Sequence, residues 1–114
     1  MGENAELRHG LTRQALMRLV NDEIQDINRS FEPVAEDYVV LCECGRRGCL
    51  DQIRIRAGAF ERLHGRFGVF VVAAGHEQPE LERVERSEPG YNVVVLHPHA
   101  QELARRLSLL ETDD

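Results

Sequence analysis

Cys42-Glu43-Cys44-Gly45-Arg46-Arg47-Gly48-Cys49 crowds three thiols into a single turn, and the chain has no other cysteine. An odd number of thiols cannot all pair internally as disulfides, so a cluster this dense reads as a metal-binding knuckle. On an extended strand, residues two apart project from one face. Cys42 and Cys44 therefore start on the same side, with Glu43 on the other. Their Cα atoms would lie roughly 6.6 Å apart, whereas sulfurs sharing one tetrahedral zinc ion sit only about 3.8 Å apart. The strand must bend, and Gly45 and Gly48 stand where positive φ lets the backbone fold out and return.

Three thiols need a fourth donor. His76 is the first choice, because it follows Gly75 at the end of an apolar run that can hold it rigidly. His97 and His99, closing the last expected strand, are alternatives. His64 is a further one, and His9 reads as surface. The expected set is thus Cys42, Cys44, Cys49 and His76 around zinc. Competing readings are three buried small apolar residues, a redox switch joining Cys42 to Cys44 or Cys49, and iron in place of zinc, although iron–sulfur clusters typically take four cysteines.

Outward from the knuckle, the elements alternate in type. Upstream, Leu16, Val20, Ile24, Ile27 and Phe31 recur at helical spacing, predicting a helix from about Asn4 or Leu11 to Arg29 that ends before Pro33. Two dozen residues would span about 36 Å, long for a domain of this size. Its apolar stripe is expected either to pack on the core or to meet a second copy. Tyr38–Cys42 reads as a buried strand, and Ile53 and Ile55 alternate with Arg54 and Arg56 as a half-exposed one. Ala57–His64 predicts a short helix with Phe60 and Leu63 on one side. Phe67–Ala74, the most apolar run, is expected to be a central strand. Leu81–Arg86 and Tyr91–Leu96 flank Ser87-Glu88-Pro89-Gly90 as a hairpin. Leu103, Leu107 and Leu110 mark a closing helix from about His99 to Glu111. The expected fold is α+β: one domain over 1–114, frayed at 1–10 and 111–114, with a small, mostly antiparallel sheet stapled by zinc.

Composition narrows the function. The net charge of −6 argues against bulk attraction to nucleic acid or anionic lipid. Every basic residue is Arg, a bias that GC-rich coding produces without functional cause. No stretch approaches the ~18 apolar residues of a membrane span, and the first residues do not form a secretory signal. Cytoplasmic residence is expected, where clustered cysteines favour metal over disulfide.

The stretches VVLCECGRRGC, QIRI, FVVAAGHEQPELERV and YNVVV resemble a family of small bacterial proteins of actinobacterial type. Its pattern runs CECG…C, an isoleucine-rich strand, an aromatic-rich segment, a PGH-like turn and a Tyr-Val-Val strand. The resemblance covers about residues 20–96. It departs at AAGH in place of PGH and at Leu-His after the last valines, where a charged pair is usual. It implies the metal set Cys42, Cys44, Cys49 and His76, and no assigned activity.

A closed set of three cysteines and a histidine leaves no position for a reactive water. The H-x-E…P-C-x-x-C, H-E-x-x-H, G-x-S-x-G and P-loop signatures are all missing. An enzyme is not expected. The leading reading is a zinc-stabilised interaction or regulatory protein, meeting a protein partner through the first helix or a sheet edge, with homodimerisation through Leu16, Val20 and Ile24. The alternative is a zinc knuckle that contacts nucleic acid through Arg46, Arg47, Arg54 and Arg56. Against it, no aromatic residue lies in the turn to stack on a base.

Overall fold

A computed structural model of the chain describes residues 2–32, 34–63 and 65–107. Helix α1 runs Gly2–Phe31, strand β1 Asp37–Leu41, β2 Gln52–Arg56, helix α2 Ala57–Leu63, β3 Val69–Ala73, β4 Glu82–Glu88, β5 Tyr91–Leu96 and helix α3 Pro98–Arg106. The architecture is α+β, with two small antiparallel sheets rather than one: β1-β2, and β3-β5-β4. No helix among the described residues is long and apolar enough to cross a membrane.

Strands β1 and β2 pair from Asp37↔Arg56 to Leu41↔Gln52, and their alternating residues bury Tyr38, Val40, Ile53 and Ile55. β4 and β5 form the expected hairpin, closed by Gly90 at φ 89°, with a bulge between Val84 and Arg86. Charged residues along β4 keep its outer edge in water. α2 buries Phe60 and Leu63 as its spacing predicts.

The apolar run Val69–Ala73 is not the central strand of its ladder; β5 is. Continuous apolarity reports burial on both faces and carries no information about order in a sheet. The free edge of β3 is satisfied without a neighbouring strand. Val69 O accepts from Arg18 (2.8 Å), Val71 N–H donates to the Glu43 carboxylate (3.0 Å), and Ala73 N–H donates to Cys42 Sγ (3.1 Å). Side chains cap what would otherwise be an exposed row of donors and acceptors.

α1 holds the main correction. Its apolar stripe faces solvent: Leu16, Ile27 and Phe31 are 54%, 51% and 84% exposed, with Val20 and Ile24 half-buried. The buried face carries Gln14, Arg18, Asn21 and Gln25 beside Leu11 and Ala15. The reason is what α1 covers. It lies across the free edges of both sheets, whose backbone groups need polar partners. Asn21 brackets Leu41, its amide donating to Leu41 O and its carbonyl accepting from Leu41 N–H, each at 2.9 Å. Gln25 donates to Val39 O at 3.2 Å, and Arg18 reaches Val69 O. An apolar face laid on those edges would leave buried backbone groups unpaired, at roughly 1–3 kcal/mol each. At ~1.5 Å per residue the thirty residues of α1 run about 45 Å, matching the molecule's longest dimension of 46 Å.

The closing helix also differs from expectation. α3 starts at Pro98, a residue suited to a first helical turn. It buries Ala100 and Ala104, while Leu103 is only partly buried against the core. Small residues allow a close approach to the sheet. Leu110 lies outside the described residues.

Candidate metal centre

β1 ends at Leu41, but its ladder runs one bond further, Cys42 N–H donating to Asp51 O at 2.8 Å. The next residue crosses to the other sheet: Glu43 N–H donates to Val71 O at 2.9 Å. The Cys-Glu-Cys segment is therefore the seam where the two sheets meet. Gly45 and Gly48 both take φ 78°, as the knuckle requires. At Gly45 there is a second constraint, because an added Cβ would stand 2.7 Å from Gly10 O on α1.

The turn folds the three sulfurs toward the loop after β3. Among the described residues, Cys42, Cys44, Cys49 and His76 each bring one donor atom into a group lying within 4.8 Å of one another. His76 Nδ1 is 3.5 Å from Cys42 Sγ and 3.6 Å from Cys49 Sγ. Donors about 2.3 Å (sulfur) and 2.0–2.1 Å (nitrogen) from a tetrahedral ion are separated by about 3.6 Å. The donor set and these edges fit a tetrahedral metal ion.

The surroundings fit as well. The other imidazole nitrogen, Nε2, stands 3.5 Å from Asp51 Oδ2, the carboxylate support that metal-bound histidines commonly have. Backbone N–H groups of Ala73 and Arg46 approach Cys42 Sγ (3.1 Å) and Cys44 Sγ (3.5 Å) and would offset thiolate charge. For Arg46 the contact is made by its backbone N–H. Among themselves the thiols cannot all ionise freely. Cys44, favoured as thiolate by a hydrogen bond from Cys42, is lowered to about 5. Cys42 is pushed above the ordinary thiol range by that same bond and by burial, and burial raises Cys49. A cation at the centre would relieve this competition.

Glu43 projects opposite the sulfurs, as the two-residue alternation predicts, and is fully buried. Its carboxylate takes Arg18 in a two-point contact (Nε 3.0 Å, NH2 2.9 Å), Asn21 at 2.8 Å and Val71 N–H at 3.0 Å. Arg18 in turn lies over the rings of Phe60 and Phe70. Glu43 thus joins the knuckle to α1 and β3, and Arg18 extends the link to Phe60 on α2. Spacing flagged Glu43 only as a side chain pointing away. The Gln14, Arg18, Asn21, Gln25 row has helical period but reads in sequence as a solvated face. Asp51 carries no sequence signal.

The alternative histidines lie elsewhere. His97 Nε2 contacts Pro79 O at 2.8 Å and its ring stacks on His99 at 5.9 Å. His9 and His99 line a cleft of about 730 Å³ beside the knuckle, and His64 lies outside the described residues. The four arginines considered for nucleic acid occupy two settings. Arg46 and Arg47 line that cleft with Arg13, Glu6 and Glu80. Arg54 and Arg56 project from β2, each 3.8 Å from Asp37.

No protein-family model, curated protein or solved structure matches the chain.

Proposed function

We propose that the chain is a zinc-stapled protein-interaction module. Cys42, Cys44, Cys49 and His76 form a structural zinc centre, and the solvent-facing apolar side of α1 is the surface offered to a protein partner. The observation that carries this reading is the convergence of four donor atoms within 4.8 Å. Three thiolates and a neutral imidazole at tetrahedral spacing favour zinc, and the single missing cysteine disfavours an iron–sulfur cluster. A filled donor set has no room for an activated water, which supports a structural role over a catalytic one. The ion would fasten the end of the β1-β2 sheet to β3, adding a cross-link beside the apolar core. Such thiols persist in a reducing cytoplasm, the compartment proposed here. The stretches that resemble the small bacterial family include the same four residues.

Cys44→Ala tests the centre: it should lose the metal and unfold, because binding energy at such a site is folding energy. A variant that kept one zinc per chain and melted like the parent would overturn the reading. A nucleic-acid role has less behind it, since Arg54 and Arg56 sit beside Asp37 and away from the knuckle cleft. Titration with DNA and RNA at two salt concentrations separates the readings, because phosphate contacts impose a steep salt slope.

A further inference from the structure

The exposed stripe of α1 is more regular than stray surface apolarity. Met17, Val20, Ile24, Ile27 and Phe31 follow one another at 3, 4, 3 and 4 residues. That is the seam by which two helices interlock side chains. At ~100° per residue the seam centres roughly 110° from the face that holds Gln14, Arg18, Asn21 and Gln25, so α1 can grip its own sheets and a second helix together. The seam has defined ends. Upstream, Arg13 is turned inward, its Nε donating to Gly45 O at 2.5 Å; downstream, the helix stops at Phe31.

Resting on the interaction role proposed above, we infer that the partner is a second copy of this chain, docked through an antiparallel α1–α1 pair about a two-fold axis. A closed two-fold interface must be complementary to itself. In the antiparallel register that sets Met17 against Ile27 of the other copy, Val20 falls against Ile24, and the same contacts recur across the axis. The four layers from Met17 to Ile27 are apolar on both sides, and at each end Phe31 closes over the position of Arg13, whose guanidinium is turned inward onto Gly45 O. The area is adequate. Taking ~150–250 Å² for a large side chain, Leu16, Ile27, Phe31 and the half-buried members expose on the order of 500 Å² of apolar surface per copy. Two such faces together would bury on the order of 1,000 Å², the lower bound for a specific interface.

Sedimentation of the metal-loaded full chain tests the inference, with two charge insertions that differ only in position. Ile27→Glu lies on the seam. Leu19→Glu lies off it, although Leu19 is the more exposed residue at 64% against 51%. The parent and Leu19→Glu should sediment as dimers. Ile27→Glu should weaken dimerisation at least about a hundred-fold, because two buried side chains are lost and two charges placed in the seam. Metal content and circular dichroism of all three should match, since both sites are on the surface. A parent that stays monomeric at millimolar concentration overturns the inference and leaves the face to a different protein. So does a dimer that survives Ile27→Glu or is lost equally in Leu19→Glu. Failure of the zinc reading would appear separately, as absent metal in a parent that still dimerises.

Discussion

Replacing Arg18 with Met removes one half of a buried ion pair and leaves the rest of α1 in place. Arg18 is 7% exposed and Glu43 is fully buried, so little solvent screens the pair. Arg18→Met strands the Glu43 carboxylate with only Asn21 and the Val71 N–H as partners, and frees Val69 O, its acceptor on β3. Breaking one side of such a pair costs about 3–5 kcal/mol, a large share of a total stability of about 5–15 kcal/mol. At about 4 °C per kcal/mol for a chain of this size, the midpoint should fall by roughly 12–20 °C. The double variant Arg18→Met/Glu43→Gln removes the stranded charge and keeps an acceptor for Val71 N–H. It should recover about 1–3 kcal/mol relative to Arg18→Met alone. Urea unfolding followed by circular dichroism, with zinc present throughout, measures both. If Arg18→Met lies within about 1 kcal/mol of the parent, or if the double variant is less stable than the single one, the buried pair is not what seats α1 on the sheets.

Two further substitutions probe the knuckle and the buried acid on β4. Gly45→Ala must place a Cβ 2.7 Å from Gly10 O at φ 78°, so it should lower stability by at least about 1–3 kcal/mol and speed metal loss to a chelator in a competition assay; unchanged release would show that α1 does not press on the turn. Glu82 is held above the usual carboxylate range chiefly by burial, with hydrogen bonds from Gln78 N–H and Gln14 opposing. A raised folded pKa contributes stability that is complete at low pH and is lost as pH rises through that pKa. Glu82→Gln, whose new amide can donate to the unpartnered Gln14 Oε1, should therefore melt above the parent at neutral pH, with the advantage vanishing in acid. Thermal melts over pH 3–8 that show a constant gap, or a gap of opposite sign, would contradict this account of Glu82.

The knuckle was legible because its demands are local. The thiol spacing, the placement of Gly45 and Gly48 and the alternation that turns Glu43 away all follow from strand geometry. His76 was legible because a rigid apolar strand delivers it. What the sequence left hidden depends on which surfaces meet. The period of α1 was readable, but a helical stripe marks a face to be covered without naming its cover. Here the sheet edges call for polar partners, and the apolar side turns outward. The same limit misplaced Val69–Ala73, whose burial was evident and whose position at a ladder edge was not. In α3 the buried positions went to Ala100 and Ala104, because closeness to the sheet mattered more than bulk. Asp51 meets His76 only once the knuckle has closed.

X-ray absorption at the zinc edge, on protein purified without chelator or acid, bears most directly on the metal centre. One ion per chain, with three sulfurs near 2.3 Å and one nitrogen near 2.0–2.1 Å, is the predicted result. Protein that carries no stoichiometric metal, or an ion surrounded by oxygen and nitrogen alone, would contradict it.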